Sequence, residues 1–314
     1  MGYQTWFRRL GGDVFFRHLH RHRIPVLMYH GVLPDDSPFA ENNWLQVRCS
    51  EFDLQLDFLS RHYQIISVAQ ALSGSYQQAG LPPVLVTFDD GYANNFQYAL
   101  PILKKYKAPA CIFVTTAYLD TKQLFWWDRL HLAFPEGGQG GANIAWLKSL
   151  PAEQIELEVD GIVRAAGRQI PEQATDAFRC MSREELLQTH ASGLVEFGSH
   201  THRHQIIEHM DAMAVAETLR SSQQVFEAMG IAAPYFAAPN GDYTDAQIDL
   251  IRAQGFSACF ATHEMLWSID SGTYRIPRLG IGRGASLDWF RNHVAGAIVA
   301  LRSLKPGKRR ALTY

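Results

Sequence analysis

Long apolar runs, paired cysteines and an excess of one charge are all missing from this 314-residue chain. No stretch of about 18 consecutive apolar residues occurs, so no segment reads as a membrane-spanning helix. The four cysteines, Cys49, Cys111, Cys180 and Cys259, lie far apart and none sits in a CxxC, which argues against a disulfide framework or a cysteine metal knuckle. Cys111 and Cys259 fall in apolar runs, as buried free thiols do. The formal net charge is −2, so no global basic field points to nucleic acid as a partner. There is no internal repeat. The first residues, "MGYQTWFRRLGGDVFFRHLHRHR", lack the apolar core of a secretory signal. The expectation is a cytoplasmic protein.

Charge is nonetheless uneven. The first 23 residues hold Arg8, Arg9, Arg17, Arg21 and Arg23 among Trp6, Phe7, Phe15 and Phe16. The last stretch, "AIVALRSLKPGKRRALTY", is also basic and partly apolar. Two such ends suit peripheral contact with an anionic membrane at its inner face; a docked terminal helix and a solvated tail are the plainer alternative. His18, His20 and His22 read as part of a solvated basic segment. The expected organisation is a basic segment 1–23, a main unit 24–290 and a basic tail 291–314.

Within the main unit, apolar runs alternate with helical patterns. "PVLMYH", "PVLVTF", "ACIFVTT", "LVEFGSH", "PYFAAP" and "FSACFAT" read as strands; the continuous apolar character of "PVLVTF" suits a strand covered on both faces. Phe52, Leu56 and Leu59 share a helical face, with Ser50 and Asp53 resembling a capping box. Phe96, Ala99, Leu100, Leu103 and Tyr106 continue the pattern, where Pro101 predicts a kink or a late helix start. A helix is expected over about Asp211 to Met229, and Thr244 with Gln247 looks like a further capping box. This βα alternation argues for a parallel α/β barrel, incomplete or distorted. Residues 134–182 break the rhythm. The loop "PEGGQGGAN" precedes polar, helix-favouring sequence, which reads as a helical insertion between two barrel strands.

In such barrels chemistry sits where strands end. "VTFDDGY" ends a strand in two adjacent carboxylates, Asp89 and Asp90. Buried together they repel each other, and a bound cation is one way to offset that. "GSHTHRH" carries His200 and His204, four apart, which one helical turn or a tight loop can bring to one ion. Two histidines and one aspartate leave positions open for water and substrate, with the other aspartate free as a general base. Taken singly, an Asp-Asp pair after a strand is often a turn or cap, and HxxxH alone is weak. His202 points elsewhere if its neighbours ligate. The same three-ligand set also describes a non-haem iron oxygenase. In "LFWWDRL", Trp127 is either a platform for a sugar ring or packing for the insertion.

"TFDDGY", "GSHTHRH" and "YFAAPNGDY" resemble the successive motifs of polysaccharide deacetylases of the NodB homology type, carbohydrate esterase family 4. "VLMYHGV" and "SEFDLQLDFL" resemble the segment before the first motif. The resemblance runs from about Pro25 to Leu279, the insertion apart. It implies a distorted (β/α) barrel, usually of seven strands, and metal-dependent removal of N- or O-acetyl groups from glycans. By position it implies Asp89 as catalytic base and Asp90, His200 and His204 as ligands of a divalent metal, commonly zinc, with cobalt or nickel substituting. Asn240, in the third motif, would supply an oxyanion-binding N–H, with Pro239 beside it as a candidate substrate contact. The departures are specific. Many members carry an Arg where Ala237 stands; a branch with "FAxPxG" also lacks it. Arg278 and Arg275 are the candidates for bracing Asp89, and Arg278 is also a candidate substrate contact. The family's late Leu-x-His is missing from "RIPRLGI", which leaves His263 as candidate general acid and His30 as another. A non-catalytic glycan-binding relative is the competing reading. The expected partner is an acetylated glycan, or its nucleotide- or lipid-linked precursor.

Overall fold

The structure, a computed structural model, describes residues 12–39, 41–77, 80–170 and 172–303. Its centre is a curled sheet of parallel strands: β1 (Val26–Tyr29), β5 (Pro83–Phe88), β6 (Ala110–Val114), β7 (Val195–Ser199), β8 (Tyr235–Ala237), β9 (Ala258–Phe260) and β10 (Leu279–Gly280). Their spatial order is β10-β1-β5-β6-β7-β8-β9, with β4 (Gln64–Ile65) pairing β5 from the side. A separate two-stranded parallel ladder joins β2 (Gly31–Leu33) to β3 (Gln46–Arg48). The segment before β10 bridges β9 through Ile276 and Phe260, while Leu279 pairs with Leu27 of β1, so one extended stretch spans the gap between the sheet's two ends. This is the distorted seven-strand barrel that the motifs imply.

The strands form where burial is available on both sides. Every residue of β5 is buried, as its unbroken apolar character requires. In one core with it pack Phe52, Leu56 and Leu59 of α2 (Cys49–His62) and Leu100 and Leu103 of α4 (Leu100–Tyr106), while α3 (Val68–Ser73) lies between β4 and β5 in the chain. Helix α4 starts late, as Pro101 demands: proline occupies its first turn, and a π-helical turn, Asn95–Ala99, precedes it. The cap of α2 falls earlier than the sequence pattern suggests. Arg48 is its N-cap, and Glu51 accepts the Arg48 backbone N–H at 3.1 Å. The Ser50 N–H is taken by Asp35, and Asp53 pairs with Lys105 instead of capping. Thr244 and Gln247 do form their box, at the start of α11 (Asp245–Ala253). Asp211 caps α10 (Ala212–Ala228).

Between β6 and β7 come α5 (Trp126–Ala133), α6 (Ile144–Lys148), α7 (Ala152–Ala165), α8 (Glu172–Phe178) and α9 (Arg183–Ala191). The first three share a small core of Trp126, Leu130, Phe134, Leu147, Ile155 and Val159. All four cysteines are free, and Cys111, Cys180 and Cys259 are buried. At the N-terminal end, α1 (Gly12–Leu19) docks on α12 (Leu287–Val294) and α13 (Ala297–Ser303). No helix among the described residues is long and apolar enough to cross a membrane. Trp6, Phe7, Arg8, Arg9 and the basic run after Ser303 lie outside the described residues.

Candidate active site

The chain leaves β5 through an abrupt turn. Asp90 has φ +74° and Gly91 φ +83°. A Cβ on Gly91 would come within 2.9 Å of Val114 Cγ1, so glycine is required there by both conformation and space. Asp tolerates the left-handed region better than most residues. The turn aims Asp90 at the loop after β7, which carries His200 and His204. That loop is a turn, not a helix, with Thr201 and His204 themselves at φ +62° and +57°. Three non-glycine residues in the left-handed region within one small cluster mark backbone held there by its surroundings.

The loop is pinned at several points. The Thr201 hydroxyl accepts the Gln205 N–H at 3.0 Å. His202 turns away: its N–H reaches Thr218 at 3.0 Å and its ring meets the Thr116 hydroxyl at 2.9 Å. His200 Nδ1 lies 2.8 Å from the Ala237 carbonyl, which can only accept, so Nδ1 carries the proton and Nε2 is left as a lone-pair donor. Nε2 of His200 and of His204 stand 3.5 and 3.4 Å from Asp90 Oδ1. One ligand atom from each residue fits within 4.8 Å of the others.

Both carboxylate oxygens of Asp90 are buried and accept no hydrogen bond among the described residues. Burial would raise this carboxyl, yet the facing histidines outweigh it and hold Asp90 below the ordinary range. Burial pushes His200 down to about 4, so its imidazole is neutral near pH 7. A buried, ionised carboxylate facing the lone pair of His200 and the ring of His204 is costly unless a cation sits between them. The residues present therefore fit a divalent metal.

Asp89 has opposite surroundings. Its two oxygens accept Nη1 and Nη2 of Arg278 at 2.6 and 2.7 Å, while Arg278 Nε donates to the Ala261 carbonyl at 3.0 Å. Burial acts to raise Asp89, but the guanidinium prevails and holds it at about 2. Arg278 is 0% exposed and its side chain lies over the Phe113 ring. It is no substrate contact, since no part of it reaches the cavity; it is the brace. Arg275 is exposed, pairs with Asp245 and takes no part.

A cavity of about 620 Å³ opens over Asp89, Asp90, His200 and His204. That lies inside the roughly 300–1,000 Å³ range of small-molecule sites. Asn240, at φ +60° in a tight turn after β8, lines it, as do His30 and Trp127. Pro239 is buried and does not line the cavity. His263 is exposed and also outside it, because the chain after β9 carries Thr262 inward and the next side chain outward. The insertion forms a wall from Lys148 to Glu153.

Trp127 serves two purposes. Its ring stacks on Phe125 at 4.6 Å and packs on His204 at 4.5 Å. Its Nε1–H donates to the Tyr92 hydroxyl at 3.0 Å, which in turn donates to Asp128 Oδ2 at 2.6 Å. Asp128 is 0% exposed, and burial pushes its carboxyl well above the usual range. This chain of contacts supports the second histidine from behind. Sequence reasoning missed it, although an acid inside the apolar "FWWDRL" was a signal of a buried, bonded group.

A buried cluster of two histidines and one carboxylate, with a second carboxylate braced beside it at the mouth of a parallel barrel, is the layout of a cation-assisted hydrolase. The chain belongs to the polysaccharide deacetylase family, whose model matches residues 77–259. The Bacillus subtilis protein YxkH is 38% identical over 29% of this chain, and the match spans only 32% of that protein's length. The poly-beta-1,6-N-acetyl-D-glucosamine N-deacetylase of Staphylococcus aureus is 21% identical over 75% of this chain and 68% of that one. Among solved structures, the Streptococcus pyogenes deacetylase PplD in complex with acetate superposes with a TM-score of 0.59 at 20% identity, covering 90% of this chain and 99% of that one. IcaB from Ammonifex degensii gives 0.58 at 22% identity, covering 88% and 97%. At these identities the superpositions speak for the fold.

Proposed function

We propose that this protein is a metal-dependent deacetylase acting on acetylated amino sugars of a glycan. The observation that carries the reading is the division of labour between two adjacent carboxylates, Asp90 facing two histidines and Asp89 held by Arg278. A divalent cation held by Asp90, His200 and His204, zinc being the first candidate with cobalt or nickel as substitutes, supplies Lewis acidity toward a carbonyl and lowers the pKa of water. The chain does the rest. Asp89, ionised at every working pH and lying at the cavity floor, accepts the proton of the attacking water. Arg278 keeps both its oxygens oriented. Once it carries that proton, the same carboxyl is placed to return it to the departing nitrogen. The turn at Asn240 supports a backbone N–H facing the developing oxyanion.

An iron oxygenase would use the three ligands but has no task for a braced carboxylate beside them. A purely glycan-binding role has no use for it either. On α1, Val14, Phe15 and Leu19 are exposed, and basic residues accompany them. They support contact of this helix with an anionic membrane surface, which co-sedimentation with anionic vesicles at low salt tests.

The decisive experiment measures metal content together with acetate release from acetylated amino sugars, before and after chelation. About one metal per chain and chelator-sensitive acetate release is the expected result. Failure to load any divalent metal would remove the common task of Asp90, His200 and His204 and end this reading.

A further inference from the structure

From the metal cluster the cavity extends between the insertion and α10. The insertion lines it with Ile144, Leu150 and Ile155; the other wall carries Ile206, Met210 and Ala214. Helix α10 turns one face to it, with Ala214, Glu217, Thr218 and Ser221 at helical spacing. The walls are built into the fold. Ile144 and Leu150 pack on the insertion's own core, and Met210 packs on the core that holds Phe236 and Ile251. Ile144, Leu150, Ile206, Met210 and Ala214 are each half-buried and keep apolar surface turned to the cavity.

These six side chains offer no hydrogen bond. A sugar ring carries hydroxyls around its edge, and burying them against such a wall is unfavourable. Sugar rings go to aromatic faces, which the cavity supplies elsewhere, in Trp126 and Trp127 of α5. A wall of Ile, Leu and Met suits a hydrocarbon chain: each methylene gains by leaving water, and Met210 adapts to chains of varied shape. Charge tells how that chain is attached. Arg203, Glu153 and Glu217 line the rim and are exposed, where water and salt screen them. Lys148 differs. It is half-buried in the same wall as Leu150, burial lowers its ammonium, and Asp242 is the carboxylate that opposes the shift. A long acyl group on the amide would have no use for a cation set in that wall. A phosphate joining the hydrocarbon to the sugar would.

We propose that the groove between the insertion and α10 holds the hydrocarbon chain of a lipid-phosphate-linked amino sugar, with Lys148 beside the phosphate and the acetylated sugar over Asp89. Water is consumed at the amide, acetate leaves, and the free amine stays on the lipid phosphate. This rests on the deacetylase reading and narrows it: the sugar is processed while still carried on its lipid.

The test measures kcat/KM for acetate release from N-acetylhexosamine 1-phosphate esterified with an ethyl, butyl or octyl chain, each below its micelle concentration. A neutral octyl glycoside of the same sugar is the reference. In the wild type a rise of roughly tenfold or more from ethyl to octyl is expected, less than full burial of every added methylene would give. Leu150→Asn should flatten that series, and Leu150→Met should keep it. Lys148→Met should remove the preference for the octyl phosphate ester over the neutral glycoside, and Lys148→Arg should restore most of it. A flat wild-type series overturns the proposal. So does a Leu150→Asn variant that lowers all esters alike, which would show a packing role only, or an unchanged preference in Lys148→Met. A rise seen only when the N-acyl chain is lengthened, with the ester fixed, gives the groove to the acyl group and also overturns it. If no acetylated sugar of any kind releases acetate, the deacetylase reading has failed separately. Calorimetric binding of the ethyl and octyl esters to the full chain then decides the groove by itself, and equal affinity rejects it.

Discussion

Asp89 and Asp90 are neighbours in the chain and both are buried, at 3% and 1% exposure, yet they live in opposite surroundings. Asp89 belongs to a finished region. Arg278 satisfies both its oxygens, and the guanidinium is itself fixed by the Ala261 carbonyl. Asp90 belongs to an unfinished one, where carboxylate oxygens without hydrogen bonds among the described residues face the imidazoles of His200 and His204, Asp90 and His204 themselves on left-handed backbone. A protein interior rarely leaves such groups unpaired. The finished half identifies a group held ready; the unfinished half identifies where an ion belongs. Neither inference follows from burial alone, which is nearly the same for both.

The largest effect should come from separating the halves. Asp90→Ala should leave the purified protein without metal and reduce turnover by more than about a thousandfold. Asp89→Asn should keep a full equivalent of metal and still lose about 10²–10⁴-fold in turnover, the usual worth of a positioned acid–base group. Loss of metal from Asp89→Asn, read by elemental analysis, would erase the distinction between the two carboxylates.

Next comes the brace. Arg278→Met leaves Asp89 buried without a counter-charge, which should cost about 3–5 kcal/mol in urea denaturation at pH 7. Adding Asp89→Asn to that variant should recover much of the loss. The sign with pH is set by the depressed carboxyl. A folded value of about 2 against the ordinary 3.8 means the pair's contribution is full above about pH 4 and fades as pH falls toward 2. An Arg278→Met penalty that is the same at pH 2 and pH 7 would contradict the pairing.

The histidines act in a different window. Burial takes His200 from 6.5 to about 4, so its folded form binds protons less readily than its unfolded form. The chelated protein should therefore be most stable above pH 6.5 and weaken progressively down to about pH 4. The loss is on the order of 3 kcal/mol for such a shift. His293, also lowered to about 4 by burial, contributes in the same direction. A urea midpoint that stays flat across this range would argue that the unfinished half is not desolvated.

The smallest effect should be Tyr92→Phe. It removes the hydroxyl that accepts from Trp127 and donates to Asp128, loosening the packing behind His204. Roughly a tenfold loss of metal affinity by calorimetric titration is expected, with stoichiometry retained. An unchanged affinity would confine Trp127 to packing.

Much of this was legible because the signals were local. A strand that is apolar throughout can only be covered on both faces, and "PVLVTF" is so covered. Pro101 had to open a helix, and it does. Asp211 and Thr244 cap where an acceptor side chain meets free N–H groups. Ser50 misled, because the turn chemistry was equally good two residues earlier and Asp35, fifteen residues away, captured the Ser50 N–H. His263 and Pro239 lie outside the cavity for a related reason. Nearness in sequence to a motif does not say which way a side chain leaves the backbone, and a single residue reverses it.

The sequence by itself determined the parallel barrel and the strand ends that carry Asp89, Asp90 and His200, since periodicity and turn residues act over a few positions, while the choice of Asp90 beside His200 and His204 came from the resemblance of the motifs. Only the tertiary structure decided that Arg278, 189 residues from Asp89, braces it. It alone joined Tyr92 to Asp128 and set the insertion as a cavity wall. Those contacts join distant segments whose pairing depends on how the sheet curls, and no local propensity encodes that curvature.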